Sequence, residues 1–284
     1  MARQPNVKEQ SMVTNVYPLS KSIDNYERVA LSLSGGLDSV TLMAYLASHV
    51  GAMNVFPISF VYGQRHSLEI ECARYQVQDC NIPLDNYSVI DISFLGDITS
   101  KVSAMVEGEV DVPSIQQALG DPQPASYVPF RNLIFSSLVA AYAESNNAKA
   151  IALGIQAVDQ LGYWDTTSTF AEALQNIFNL NRKNQIKVLT PFVNAGKEDE
   201  IKLGLSLGVN YKKTWTCYNG AHDASGNKIK GFEETRDWEE FPPYACGICA
   251  SCHDRKRAFA QLGKEDEDVK YLDPEVATSV YSIY

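Results

Sequence analysis

The sequence predicts an α/β domain built on a parallel sheet, with a small cysteine-bearing subdomain towards its C-terminal end. Three observations lead there. Short apolar runs alternate with helical patterns from Val29 to Leu207, as expected for parallel strands covered by helices on both faces. The first run breaks on paired glycines straight into a helical pattern. Four of the six cysteines gather late, at Cys217, Cys246, Cys249 and Cys252.

The elements follow in order. Val29 to Leu33 is a strand, and Leu42, Met43, Tyr45 and Leu46 mark the helix after it. Between them lie Ser34, Gly35, Gly36, Leu37, Asp38 and Ser39. Glycines let the backbone approach an anion, the helix N-terminus offers N–H groups and a favourable dipole, and two serines add hydroxyl donors. No lysine closes this loop, so it is not the nucleotide loop ending in Gly-Lys-Ser/Thr. Asn54 to Phe60 reads as a second strand in which Pro57 predicts an irregularity or an edge position. Val61 to His66 is a loop, and Ser67 can cap a helix through Leu68, Ile70, Cys72 and Val77. Tyr87 to Ile92 is a third strand. Gly96 to Ala125 lacks a sustained period and is expected to be a long surface segment. Leu133 to Ala143 is a buried helix, Lys149 to Gly154 a strand, Phe170 to Leu180 a helix, Ile186 to Pro191 a strand and Gly196 to Leu207 a helix. Ligands of such a sheet sit at the carboxyl ends of its strands.

Length and composition set bounds. At 284 residues and 45% apolar content, one substantial core and a small appendage are expected. No apolar run approaches the ~18 residues that would span a bilayer, and Met1 to Lys21 lacks the apolar core of a secretory signal. A cytoplasmic location is therefore expected. The net charge of −10 argues against broad nucleic-acid binding while leaving room for a local basic groove. The expected divisions are an N-terminal extension over 1–25, the α/β domain over 26–212, a metal-binding region with an inserted loop over 213–262, and a C-terminal extension over 263–284. The acidic stretch Glu233 to Glu240 reads as a solvated loop face.

Cys246, Cys249 and Cys252 stand at x2 spacing, with Gly247 in the first turn and Cys217 upstream. Four thiolates close a tetrahedron and suit one structural zinc per chain; an iron–sulfur cluster uses similar spacings. His253 is available as an alternative ligand. Cys72, Cys80 and His49 read as ordinary packing residues, His66 reads as a site residue, and the sequence assigns His222 no role.

Ser34 to Ser39 resembles the pyrophosphate loop of the ATP pyrophosphatases, enzymes that split ATP between its α and β phosphates. With further blocks in order, the chain resembles the 7-cyano-7-deazaguanine synthase family over roughly Val29 to Ala258. These blocks are Tyr62 to His66 with Glu69 and Ile70, Val128 to Asn132, Thr216 to Gly220, and the cysteine triplet; Thr190, Pro191 and Phe192 with Lys197 resemble another family segment. Members bind zinc through such cysteines. They use ATP to activate the carboxylate of 7-carboxy-7-deazaguanine, form an amide with ammonia, and dehydrate it in a second ATP-driven step to the nitrile. The resemblance implies an adenine-nucleotide α-hydrolase-like fold, ATP as cosubstrate and Mg²⁺ with it. It implies Ser34, Gly35, Gly36, Leu37, Asp38, Ser39, Gln64, Arg65, Arg131 and Lys197 at the ATP, with Asp38, Arg131 and Lys197 catalytic. Phe130, Asp159, Tyr163, Trp164 and Asp165 would hold the substrate.

Several positions depart from the family pattern. Val61 stands for Asp, Phe130 for Gly, and Leu161, Trp164, Thr166 and Thr167 for Ser, Pro, Cys and Arg. The expectation is a pocket that still stacks the heterocycle, on Phe130 and Trp164, but loses the nitrile-forming step. Three other readings stay open: a specialised ligase joining the deazaguanine to a protein or peptide amine in a defence or phage setting, a tRNA-modifying ATP pyrophosphatase, and a non-catalytic zinc-stabilised nucleotide-binding subunit. A homodimer is an open option.

Overall fold

Val29 and Leu31 turn to one side of the first strand and Ala30 to the other, and this two-residue alternation divides the core into two layers. The computed structural model describes residues 26–65, 68–113, 121, 123–156, 162–229, 242–266 and 268–280. Five strands make the main sheet: β1 (Val29–Ser32), β2 (Val55–Val61), β3 (Ser88–Asp91), β4 (Ala150–Ala152) and β5 (Lys187–Leu189). Their order is β3-β2-β1-β4-β5 and every pairing is parallel. The chain thus builds outward from β1 to one side and returns to its other side with β4. The crevice at that reversal, beyond the end of β1, is where such sheets bind ligands.

One face is covered by α1 (Leu37–Val50), α2 (Leu68–Asp79) and α6 (Lys197–Ser206), whose Leu42, Leu46, Val77 and Ile201 pack on Val29 and Leu31. The other face carries α4 (Arg131–Ser145) and α5 (Ser168–Phe178), with Val139, Phe170 and Leu174 against Ala30, Ile58 and Ile151. A short α3 (Phe94–Thr99) lies between the two halves of the sequence. A third cluster joins Trp215 and Leu68 to the four late cysteines. Its elements are α7 (Ala250–Gln261) and a two-stranded parallel ladder of β6 (Tyr244–Ala245) with β7 (Lys270–Tyr271); α8 (Pro274–Val280) follows.

Two expectations need correction. Pro57 is in an interior strand, paired with Leu31 on β1. Ile58 O accepts from Leu33 N at 2.9 Å, so Ile58 faces β1 and Pro57 turns its nitrogen towards β3. The ladder to β3 begins only at Ser88 opposite Ile58, so the missing N–H leaves no sheet bond unmade. The segment from Gly96 is not all surface: Thr99, Ser103, Ala104, Met105 and Val106 are buried, and Gly96 packs its Cα against Gly63. Residues 114–120 and 122 of that segment, the N-terminal 1–25 and the acidic stretch at 233–240 lie outside the described residues.

Candidate active site and cysteine nest

The Ser34–Ser39 loop is shaped in part by its own side chains. Ser34 and Ser39 hydroxyls are 3.0 Å apart, Ser39 Oγ accepts from Ser34 N (3.2 Å), and Ser34 Oγ accepts from Gly36 N (3.2 Å). Gly36 precedes α1 with no side chain capping it, which leaves the first-turn N–H groups to an incoming anion. Gly35 has φ +84°, and a Cβ there would collide with the Glu69 carbonyl of α2. Leu37 is fully buried, so it serves the loop through its backbone alone. Asp38 lies in the first turn of α1 and Lys197 opens α6; Lys197 Nζ is 3.3 Å from both Asp38 carboxylate oxygens.

A cleft of about 290 Å³ runs from this loop across the ends of β1, β2 and β4. Ser34, Gly36, Asp38, Ser39 and Lys197 line one end; Arg131, Asn132, Tyr163, Asp165 and Tyr62 line the other. Asp165 is 2% exposed and accepts weakly from Asn132 N at 3.4 Å, while Asn132 Nδ2 donates to Asp165 O at 3.2 Å. Burial raises the Asp165 carboxyl above its usual range, and Arg131 opposes that rise. Burial would lower the Arg131 guanidinium, but Tyr62, Tyr218 and Asp165 around it outweigh that and hold it raised. Burial likewise raises the Tyr62 phenol, against the pull of Arg131. Tyr163 hydroxyl meets Ser126 Oγ at 2.6 Å.

Other expected site residues sit elsewhere. Gln64 borders the cleft, but its amide is engaged with Tyr62 N (2.7 Å) and Phe60 O (3.0 Å). Arg65 is not among the lining residues; it donates to Ala104 O (2.7 Å) and Val110 O (2.5 Å), bracing the 103–110 segment. Phe130 and Trp164 stay outside the lining, 56% and 43% exposed, in edge-to-face contact at 5.6 Å. Tyr127 hydroxyl accepts from both, from Phe130 N (3.0 Å) and Trp164 Nε1 (2.9 Å), and Phe130 is held at φ +56°. The aromatic surface of the cleft comes from Phe60, Tyr62, Tyr127, Phe135, Tyr163, Phe170 and Tyr218, of which Tyr163 was expected there. Thr167 caps α5 by accepting from Phe170 N at 3.1 Å. Asp159, Leu161 and His66 lie outside the described residues. Tyr62, Asn132 and Tyr218 were within the motif blocks, but their convergence on Arg131 and Asp165 joins segments too distant in sequence to be read from spacing.

The four cysteines converge as expected. Cys217, Cys246, Cys249 and Cys252 are buried with their sulfurs all within 4.8 Å of one another, and Cys246 and Cys252 are 4.0 Å apart. Backbone N–H groups of Cys246 and Cys249 donate to Cys217 Sγ (3.3 Å) and Cys246 Sγ (3.4 Å), and Asn219 Nδ2 adds a third bond to Cys246 Sγ at 3.3 Å. Gly247 at φ +76° makes the turn between the first two ligands of the triplet. Hydrogen bonds from the other three thiols favour the Cys246 thiolate, holding its pKa well below a free thiol's. Four sulfurs converging in a buried nest are the donor set of a soft cation. His253 is not in the nest; its ring is about half exposed and 3.9 Å from Asp254. His222 is fully buried, with Nδ1 at 3.2 Å from Tyr244 O.

Comparison with known proteins gives a consistent set. A sequence model of the family described as queuosine biosynthesis protein QueC matches residues 28–263. Similar curated proteins include a 7-cyano-7-deazaguanine synthase of Clostridium kluyveri, 37% identical over 86% of this chain and 98% of that one. Another from Acaryochloris marina is 36% identical over 84% and 97%. Among solved structures, an NH3-dependent NAD synthetase from Campylobacter jejuni aligns with TM-score 0.45 at 20% identity, over 75% of this chain and 77% of that one.

Proposed function

The chain belongs to the family of the queuosine biosynthesis protein QueC, and on that premise we propose that it is an ATP-dependent carbon–nitrogen ligase acting on 7-carboxy-7-deazaguanine. The observation that carries this reading is one cavity that joins the phosphate loop to the Arg131–Asp165 pocket. A carboxylate is a poor acyl donor until its oxygen can leave. In the proposed reaction that oxygen attacks the α-phosphorus of ATP and pyrophosphate departs; a nitrogen nucleophile, for which ammonia suffices, then displaces AMP to give the amide. The α1 N-terminus, Ser34 and Ser39 receive the pyrophosphate, and Lys197 meets the charge that builds on it. Arg131 stands at the opposite end to take the substrate's carboxylate or an α-phosphate oxygen, its guanidinium hydrogen-bonded to Tyr62 and in the field of Tyr218 and Asp165. Asp165, acceptor and buried, suits the amino and ring N–H groups of a planar deazapurine stacked among the cleft aromatics. Mg²⁺ would be held by Asp38 together with ATP phosphates, as this ion prefers.

A second ATP-driven round, which dehydrates the amide, completes a nitrile synthase. The departures at Phe130, Trp164 and Thr167 are outside the cleft lining, whereas Thr166, in place of the family's Cys, borders it; product analysis decides between amide and nitrile. Zinc, one per chain, fits the nest. Four thiolates ~2.3 Å from one ion stand about 3.8 Å apart, close to the 4.0 Å between Cys246 and Cys252. A multi-iron cluster spreads its thiolates further. No helix among the described residues is long and apolar enough to cross a membrane; small molecules are the substrates and the cytoplasm the proposed location.

The test is mass spectrometry of products after incubation with 7-carboxy-7-deazaguanine, ATP, Mg²⁺ and ammonia. The expected outcome is 7-cyano-7-deazaguanine with two AMP formed per nitrile. Amide as the end product, or no AMP at all, would overturn the corresponding part of the reading.

A further inference from the structure

Away from the cleft, a buried polar chain connects the C-terminal segment to the helices that carry Asp38 and Lys197. Arg255 on α7 is 1% exposed and paired with Asp266, through Nε at 2.8 Å and Nη2 at 3.3 Å; the Asp266 side chain is 1% exposed and also accepts from the Tyr271 hydroxyl. Asp266 and Tyr271 lie past residue 263, where the family match ends. The other side of the guanidinium donates to Thr214 Oγ1 at 2.7 Å and Tyr211 O at 3.2 Å. Two faces of one planar fork are thus used, one on a carboxylate and one on the turn that holds Tyr211.

Tyr211 is 1% exposed, and its hydroxyl is 2.7 Å from Thr41 Oγ1 on α1 and 3.3 Å from Glu200 O on α6. Thr41 Oγ1 also reaches Leu37 O at 2.8 Å. Two protons serve three contacts: with Tyr211 Oη donating to Glu200 O and accepting from Thr41 Oγ1, the phenol bridges the two helices. Thr41 is three residues after Asp38, and Glu200 three after Lys197, so the bridge lies one turn behind each member of the ion pair. Gly204 supplies the room, since a Cβ there would collide with the Tyr211 hydroxyl. Phe259 braces the ring edge-to-face at 6.0 Å and receives Arg255 over its own face at 5.5 Å.

We propose that Tyr211, held by Arg255, is a positioning residue that sets the separation of Asp38 and Lys197 and so tunes the phosphate chemistry from behind. The reasoning rests on the ATP-dependent reading above. Two helix N-termini converge on one site, and nothing in either helix alone fixes their mutual register. A buried hydroxyl bonded to both adds a directed link to the apolar packing that α1 and α6 share. Because an unpaired polar group at this depth is costly, the bridge has a defined length and resists sliding. Catalysis of pyrophosphate departure needs a cation already in place where charge develops, and a displacement of about 1 Å is worth up to ~10² in rate.

Tyr211→Phe removes the hydroxyl and keeps the ring; Thr41→Val removes its partner on α1. The expected result is a fall in kcat for AMP formation of about tenfold or more, with the Kd for α,β-methylene-ATP within about twofold of wild type and metal content unchanged. The double variant should lose no more than either single one, because all three break the same bridge. Amide hydrogen exchange in peptides covering 37–43 and 197–203 should quicken in each variant. Wild-type kcat in both single variants overturns the proposal, as does a loss of kcat and ATP-analogue affinity in parallel, which would mark general loosening. If the wild-type chain forms no AMP from ATP, the enzymatic reading fails by itself. The bridge is then judged on exchange alone, and unaltered exchange in both helices refutes it.

Discussion

Adjacent glycines in the phosphate loop should respond very differently to one added methyl group. Gly35 has φ +84°, and its new Cβ would strike the Glu69 carbonyl and stand 2.9 Å from Ala73 N. Both obstacles are backbone of α2, so neither can swing aside. Gly36 has an ordinary φ of −80°, and its Cβ would meet Ser34 Oγ and Trp215 O at 3.3 Å, contacts that a few tenths of an ångström relieve. For Gly35→Ala, the left-handed backbone costs about 1–2 kcal/mol and overpacking about 1–3 kcal/mol. The sum, roughly 2–5 kcal/mol, is a large share of the ~5–15 kcal/mol that holds a typical domain folded. It corresponds to a fall in Tm of roughly 5–15 °C for a chain of this size. Gly36→Ala, though buried, should cost no more than about 1 kcal/mol, the central value for single substitutions. Urea titration measures both, and ATP turnover by the folded fraction reports the loop itself. Equal stability of the two variants would refute the claim that close approach to α2 dictates Gly35.

Other outcomes follow from the same geometry. Asp38→Ala and Ser34→Ala should each lower AMP formation by about 10²–10³ while the circular dichroism spectrum is kept; undiminished turnover in both would remove the loop from the chemistry. Cys249→Ser should lower metal content and thermal stability together, because a structural ion contributes folding energy directly; plasma emission spectrometry with calorimetry reads this, and a metal-free chain of full stability would contradict it. Burial depresses the pKa of His222, against the pull of the Tyr244 carbonyl, with Cys246, Asp223 and Lys228 the other charged groups facing it. The unfolded chain therefore binds the extra proton first. Stability should be intact above the unfolded value of ~6.5 and fall as pH drops below it towards the folded value, with a slope of up to about 1.4 kcal/mol per pH unit. His222→Gln should flatten that limb in pH-dependent urea titrations, and an unchanged limb would assign the acid sensitivity elsewhere.

What the sequence revealed and what it hid divide along one line, the distance between cooperating residues. The turn from Ser34 to Ser39 was legible because its serine-to-serine contacts stay within six positions, while its supports at Glu69 and Trp215 were not. The triplet Cys246, Cys249 and Cys252 was legible for the same reason. Pro57 misled because its significance depends on where β3 begins, a tertiary fact. Arg65 looked like a phosphate ligand beside Gln64, yet it is turned by carbonyls about forty residues on. Phe130 and Trp164 looked like stacking surface because they sit next to Arg131 and Asp165. Neighbours on a helix start or a tight turn point in different directions, and here the charged member of each pair faces the cleft while the aromatic one faces out. The Tyr211 bridge spans 170 positions to Thr41 and left no local trace.

The nest of thiolates stands apart from the chemistry, yet it is tied to it by three consecutive residues. Trp215 donates its N–H to Gly35 O at 3.0 Å, Thr216 lines the cleft, and Cys217 is the first sulfur of the nest. Gly35 is thus pinned between two supports, α2 on one side and the extended segment at Trp215 on the other. Cys217 is itself fixed by the Cys246 N–H, and the triplet opens α7, the helix whose Arg255 holds Tyr211. Two routes therefore lead from the cysteines to the phosphate end of the cleft, a short one to Gly35 and a longer one to the Asp38–Lys197 pair. An ion bound there would act on catalysis without touching substrate, by making rigid the frame against which a glycine-rich loop, mobile by composition, keeps its shape.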